Sequence, residues 1–148
     1  MNRVGPTLMI AAAVIGAAAL IQLVPYGRAH TRPPITGTPA WDSPRTEELA
    51  RRACFDCHSN ETRWPWWSSV APVSWRIQTH VDQGRRKLNF SEADRRQEAA
   101  VEAAESVRNG EMPPADYALV HPGARLSRRE REELIQGLAA TWGDRPRR

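Results

Sequence analysis

Cys54-Phe55-Asp56-Cys57-His58 is the segment of this 148-residue sequence that restricts its fold and function most, because it contains both of the protein's cysteines. The residues match Cys-x-x-Cys-His, the attachment sequence of c-type haem. On a helical turn, residues three and four positions apart lie on the same face. The two thiols can therefore reach two vinyl groups of one porphyrin while the His58 imidazole faces the iron. The segment predicts one haem c attached covalently through Cys54 and Cys57, with His58 as an iron ligand.

Three other uses of the cysteines agree less well with the sequence. A disulfide between Cys54 and Cys57 would close a loop too short to stabilise the fold much. A thioredoxin-like redox pair is expected near a βαβ pattern, and the sequence shows no such pattern. Zinc requires four tetrahedral ligands, and the further candidates His80 and His121 are scattered along the chain. We therefore expect the cysteine pair to hold haem.

Length and composition indicate one small domain behind an apolar N-terminal segment. The run from Leu8 to Val24 has Gln22 as its one strongly polar residue, whereas the rest of the chain is polar and rich in arginine. A soluble part of this size with few large aliphatic side chains has a small apolar core of its own. We therefore expect the porphyrin and the tryptophans to form much of the core, and folding to depend on haem.

The apolar run is just long enough to span a bilayer, and it predicts three regions. We assign residues 1–29 to an N-terminal transmembrane anchor or signal segment, residues 30–40 to a linker and residues 41–148 to the haem-binding domain. The stretch Gly27-Arg28-Ala29 resembles a cleavage site, but the apolar run exceeds the usual length of a signal core. In bacteria, c-type haem is attached outside the cytoplasmic membrane. The predicted location is the inner membrane with the domain in the periplasm, or, after cleavage, the soluble periplasm.

The apolar pattern predicts an all-α domain. Ser43-Pro44 is a typical helix start and leads into the cysteine motif. Val73, Ile77 and Val81 recur every four residues and predict a second helix that ends near Gly84 or a few residues later.

Two further helices are predicted from capping boxes. Ser91 with Asp94 predicts the start of a third helix that ends at Gly110. Ser127 with Glu130 predicts the start of the last helix, which carries an apolar stripe. No segment alternates in the manner of a strand.

Met112 is the predicted second axial ligand of the iron. It is the one methionine outside the N-terminal segment, and Pro113 and Pro114 stiffen the loop that contains it. A weak thioether ligand requires such a rigid loop. A lone methionine can also fill a gap in a core, and His80 and His121 are the alternative distal ligands.

Several short motifs together are typical of one family. They are Cys54-Phe-Asp-Cys-His58-Ser-Asn60, Trp64-Pro-Trp66, Ala71-Pro-Val-Ser-Trp75, Gly84-Arg85, Leu88-Asn-Phe-Ser91, Met112-Pro-Pro114, Tyr117 and His121-Pro. With them, residues 49–142 resemble the bacterial haem-binding domain family of small, usually membrane-anchored c-type cytochromes. The resemblance implies a cytochrome-c-like helical fold around haem c, and Met112 falls where c-type cytochromes place a distal methionine.

Five more residues are candidates to contact the haem. Trp64 belongs to a stretch of tryptophans and prolines that we expect to form a wall over the ring, and Trp75 follows that stretch. Arg85, Asn89 and Tyr117 could bind the haem propionates, as could other arginines such as Arg63. A solvated basic face is the alternative interpretation for each arginine.

These residues predict a carrier of single electrons, whose partner is a redox protein in or at the membrane. Two alternatives stay open, namely a haem-based gas or redox sensor and, less well supported, a peroxidase-type enzyme with His80 or His121 as acid or base. The sequence has 21 Lys and Arg against 17 Asp and Glu, a net charge of +4. This excess suits an acidic partner or anionic lipid, but the sequence lacks the pattern of bases and aromatics expected of a nucleic-acid binder.

Overall fold

The computed structural model describes residues 5–143, and that part of the chain contains seven α-helices and no β-strand. The helices are α1 (Pro6–Ile21), α2 (Pro44–Ala53), α3 (Phe55–His58), α4 (Val73–Lys87), α5 (Ala103–Arg108), α6 (Ala115–Val120) and α7 (Arg128–Trp142). Three short 3-10 helices lie at Trp66–Ser69, Glu98–Glu102 and Pro122–Ala124. The all-α prediction is therefore confirmed over residues 5–143.

The chain divides into two compact units, and one of the three points at which it passes between them falls within α4. Unit 1 comprises Met1–His30 and Trp64–His80, and unit 2 comprises Thr31–Arg63 and Val81–Arg148. The cysteine motif and Met112 belong to unit 2, whereas α1 and the predicted wall around Trp64 belong to unit 1. The three regions predicted from the sequence stay a prediction.

In unit 1, the chain after α1 is held by hydrogen bonds and by the stacking of two rings. The Gln22 side chain donates to the Ala71 carbonyl and accepts from the Ala71 N–H, both at 3.0 Å. The His30 ring stacks on Trp64 with 4.5 Å between ring centroids. These contacts order the segment that follows α1.

The apolar N-terminal run forms a shorter helix than the sequence predicts. α1 has 16 residues, a length of about 24 Å at the usual rise per residue, against roughly 30 Å for the apolar core of a bilayer. Among the helices in residues 5–143, none combines the length and apolar character needed to cross a membrane. The predicted membrane-spanning helix is therefore not found, because α1 ends at Ile21 and the Gln22 amide turns to the backbone of Ala71.

The core of unit 2 forms where α2, α5 and α7 pack together. Its buried residues are Leu49, Ala50, Ala104, Val107, Leu134, Ile135 and Leu138. A second buried cluster consists of Phe55, Leu88, Phe90 and Ala100. Trp41, Cys54 and Trp142 pack against both clusters, so the cysteine motif begins where the two parts of the core meet.

Three of the predicted helix starts are confirmed. The Ser43 side chain accepts a hydrogen bond from the Thr46 N–H at the start of α2. α4 begins at Val73, as its apolar spacing predicts. The capping box of Ser127 and Glu130 forms at the start of α7. Local capping and spacing therefore determine these ends.

The third predicted helix starts later than expected, and this prediction was wrong. Ser91 and Asp94 do not form a capping box, because each binds another segment. The Ser91 hydroxyl accepts from the Asn60 N–H at 3.0 Å, and Asp94 accepts from the Thr36 hydroxyl at 2.7 Å. The chain turns into a 3-10 helix at Glu98–Glu102 before α5 begins at Ala103.

Candidate functional site

The cysteine motif lies at the junction of α2 and α3. Cys54 ends α2, and its carbonyl accepts hydrogen bonds from the N–H groups of Cys57 (3.2 Å) and His58 (2.9 Å). These bonds close the helical turn that brings the two thiols and the imidazole together. Both cysteines are free thiols and both are partly buried. The structure thus provides the local arrangement that the spacing predicts.

The two thiols lie in surroundings that disfavour the thiolate. Burial raises the pKa of Cys54 to about 12, and the neighbouring Cys57 adds to the effect. Burial also raises the pKa of Cys57 to about 11, with further contributions from the carboxylates of Asp56 and Asp116. Reactive redox cysteines have lowered pKa values, because the thiolate is the nucleophile. The pair therefore does not have the electrostatics of a thioredoxin-like redox centre.

The His58 imidazole is oriented by a backbone carbonyl. Its Nδ1 lies 3.0 Å from the carbonyl oxygen of Leu88, which can only accept, so Nδ1 carries the proton. Nε2 is then the unprotonated nitrogen available to a metal. Burial lowers the pKa of His58 and favours the neutral ring, despite hydrogen bonds to backbone carbonyls that act in the opposite direction. His58 is held in the tautomer and charge state of a metal ligand.

The segment 88–90 holds His58 from two sides. Besides the bond to the Leu88 carbonyl, the Phe90 N–H donates to the His58 carbonyl at 2.8 Å. Asn89, between them, is buried, and its side-chain amide donates to Asn60 and Glu92, both at 2.9 Å. Asn89 therefore shapes the segment that orients the ring. Its predicted contact with haem stays a prediction.

Arg85 binds the chain that follows the motif. Its guanidinium donates to the Ser59 carbonyl at 2.9 Å, the Thr62 hydroxyl at 3.0 Å and the Thr31 carbonyl at 3.1 Å. Burial lowers the pKa of Arg85, and the attraction to nearby acidic groups offsets this effect only in part. The structure gives Arg85 a role in fixing the chain after His58, and its predicted contact with a propionate stays untested.

The motif contains an ion pair that the sequence analysis missed. Asp56 is buried, and its carboxylate accepts from the Arg63 Nε (3.2 Å) and main-chain N–H (3.1 Å). The Tyr117 hydroxyl donates to the same carboxylate at 2.7 Å. Burial raises the pKa of Tyr117, and the bond to Asp56 raises it further. A charged residue next to the expected porphyrin needs partners for its charge. The presence of Asp56 within the motif was therefore the signal in the sequence for these ion-pair and hydrogen-bond partners.

Met112 is partly buried and packs against the apolar core formed by α2, α5 and α7, as does Cys54. Its N–H donates to the Ser106 carbonyl at 3.1 Å. His121, the alternative ligand in unit 2, directs Nδ1 to the Tyr117 carbonyl at 3.0 Å and stacks on the Tyr117 ring. The structure therefore brings Met112 and the cysteine motif to the same core cluster.

Three buried indole N–H groups lack a hydrogen-bond partner among residues 5–143. Two belong to Trp64 and Trp75 in unit 1, and the third belongs to Trp142 in unit 2, which packs against the same two clusters as Cys54. A buried donor without a partner is unfavourable and rare. The Trp142 N–H therefore suits a bound group that brings an acceptor atom to this cluster.

The donor set fits haem better than a metal ion held by protein ligands alone. Over residues 5–143, no group of three or more His, Cys, Asp and Glu side chains is arranged to hold a metal. A porphyrin supplies four iron ligands itself, so His58 and one further axial residue are enough. Two free thiols, a neutral imidazole and an unpartnered indole N–H match that requirement.

Comparison with known protein families gives the decisive observation. A family model described as a haem-binding domain matches residues 16–140. The chain belongs to the haem-binding domain family. The match confirms the predicted haem binding and extends over parts of both units. Comparisons with curated proteins and with solved structures returned no match.

Gly84 allows α4 to approach the cysteine motif closely. A Cβ atom at this position would overlap the Cys57 carbonyl oxygen and lie 2.8 Å from the carbonyl carbon. Backbone atoms cannot move aside as a flexible side chain can, so α4 or the motif would have to shift. Residue 84 therefore tolerates no side chain without displacing one of them.

We expect Gly84→Ala to lower the free energy of unfolding by about 2 kcal/mol, as overpacking of a tight contact does. Gly123→Ala is the matched control, because beyond the adjacent backbone no atom lies within 4 Å of its added Cβ. Thermal and urea denaturation of both variants measures the effect. A Gly84→Ala protein as stable as the control would show that α4 does not pack against the motif in this way.

Proposed function

We propose that the protein is a c-type cytochrome that carries single electrons. The observation that carries the proposal is the helical turn that combines two free thiols with a His58 ring fixed by the Leu88 carbonyl. Membership of the haem-binding domain family supports the cofactor. Haem supplies reversible one-electron chemistry when it is bound, and a carrier needs little more from the protein than binding and tuning.

In this proposal, the residues of the motif have distinct roles. Cys54 and Cys57 form thioether bonds to the porphyrin and fix its position. His58 binds the iron through Nε2, and the Leu88 carbonyl keeps the proton on Nδ1. The apolar clusters against which Cys54 packs would shield an attached ring from water.

Met112 is the proposed distal ligand. It packs against the same apolar core as Cys54, and the following Pro113-Pro114 restricts the loop. His121 is the weaker candidate in unit 2, because one face of its ring is already stacked on Tyr117. The bond from its Nδ1 to the Tyr117 carbonyl leaves Nε2 available, as in His58, so His121 stays the alternative ligand. Two protein ligands on the iron favour electron transfer over the sensor and peroxidase alternatives, which need an open or exchangeable position.

Replacing Met112 tests this assignment. We expect the wild-type protein to be low-spin, to show a weak far-red sulfur-to-iron band and to bind carbon monoxide slowly or not at all. Met112→Ala should abolish the band, open the iron to carbon monoxide and lower the midpoint potential, because a thioether ligand favours reduced iron. Absorption spectra and redox titration measure these changes.

His121→Ala and His80→Ala are the controls for that experiment, and both should keep the wild-type spectrum. A wild-type protein that is high-spin, binds carbon monoxide rapidly or turns over peroxide would contradict electron transfer as the function. The sensor or enzyme alternative would then apply.

We also propose that the protein acts outside the cytoplasmic membrane and contacts the lipid through α1. Leu8, Ile15 and Leu20 are 61%, 69% and 66% exposed, although all three are apolar. No side chain of α1 is buried, so its apolar side chains are exposed and suit contact with lipid. A net charge of +4 favours an acidic redox partner at the membrane surface.

Membrane fractionation tests this location. We expect the full chain to sediment with membranes, to resist extraction by salt and to be released by detergent. Two charges placed on the exposed surface of α1, Ile10→Glu with Ile15→Glu, should move the protein to the soluble fraction. A wild-type protein that is soluble, with His30 as its first residue, would instead show a cleaved signal segment.

A further inference from the structure

α6 is held within unit 2 with little apolar burial. None of its six side chains is buried, and Leu119 and Val120 are 69% and 57% exposed. An isolated helix of this length is unstable in water, so contacts with the rest of the unit must hold it in place. Elements with few buried apolar groups open most easily. The attachment of α6 therefore depends strongly on its polar contacts.

The Tyr117 hydroxyl forms the polar contact that joins α6 to the haem-attachment motif. It donates to the Asp56 carboxylate at 2.7 Å. Asp56 is buried, and in the sequence it lies between the two cysteines. Arg63 pairs with the same carboxylate through its guanidinium. A hydrogen bond to an ionised group is stronger than one between neutral groups. We call the Tyr117–Asp56 hydrogen bond the latch.

The latch lies close in sequence to Met112. Tyr117 follows Met112 by five residues, and the intervening Pro113-Pro114 restricts the backbone between them. On the other side, the N–H groups of Glu111 and Met112 donate to the Ser106 carbonyl at the end of α5. The Met112 segment is thus fixed at one end to α5 and at the other end to Asp56.

We propose that Asp56 and Tyr117 are positioning residues that hold Met112 at the iron, so that opening of the latch precedes release of this ligand. The proposal rests on the proposed function, since it takes Met112 as the distal ligand. The buried Asp56 carboxylate within the motif then serves to fix the segment that contains Met112. The lifetime of the iron–sulfur bond also depends on a hydrogen bond outside the porphyrin.

Tyr117→Phe tests the proposal in the haem-loaded protein. The change keeps the aromatic ring and removes only the hydroxyl, and Asp56 keeps its pairing with Arg63. We expect carbon monoxide to bind the reduced protein roughly 10- to 100-fold faster than in the wild type, the factor that corresponds to losing a hydrogen bond to a charged group. Stopped-flow mixing with carbon monoxide measures the rate, and the far-red band reports the remaining iron–sulfur bond.

Two controls separate positioning from general loosening of the fold. Thr36→Val removes another hydroxyl-to-carboxylate bond of 2.7 Å, to Asp94, and should keep the wild-type rate. In a Met112→Ala background, Tyr117→Phe should have no further effect, because the iron is already open. Such non-additivity is expected when two residues act on the same step.

The outcomes distinguish the latch from the ligand assignment. If the wild type shows the methionine band and Tyr117→Phe leaves the carbon monoxide rate unchanged, the latch is refuted while the distal ligand stands. Equal acceleration by Tyr117→Phe with and without Met112 would also refute the latch. If the Met112→Ala variant has the same spectrum as the wild type, Met112 is not the ligand, and the latch proposal is refuted as well.

Discussion

The hydrogen bond from His58 Nδ1 to the Leu88 carbonyl is the interaction on which the site depends. It requires the end of α4 to lie against the cysteine motif, which Gly84 permits by leaving room for the Cys57 carbonyl. It also requires a fixed course for residues 88–90, which the buried Asn89 amide provides. The orientation of the His58 ring thus depends on the packing of α4, on the absence of a side chain at Gly84 and on the buried polar network around Asn89.

Features encoded by neighbouring residues could be predicted from the sequence. The Cys-x-x-Cys-His spacing gives the cofactor, because three side chains on one helical turn can face one ring. The capping box of Ser127 and Glu130 gives the start of α7, because its bonds form within four residues. Family membership agrees with the haem binding that the motif implies.

Features that depend on distant partners were missed. Ser91 and Asp94 have the spacing of a capping box, but their side chains bind Asn60 and Thr36, so the helix starts later. The contacts of Asp56 with Arg63 and Tyr117 join positions 7 and 61 residues apart, which no local pattern reveals. The N-terminal helix ends early for the same reason, because Gln22 binds a residue 49 positions away.

Attachment of haem through two thioether bonds is the central claim, and mass spectrometry under denaturing conditions tests it most directly. The purified protein should be digested with trypsin and the peptide of residues 53–63, which contains both cysteines, should be weighed. The account predicts the peptide mass plus one haem, and no such addition after Cys54→Ala with Cys57→Ala. A wild-type peptide with the mass of the bare polypeptide would contradict covalent attachment and the proposal that the chain is a c-type cytochrome.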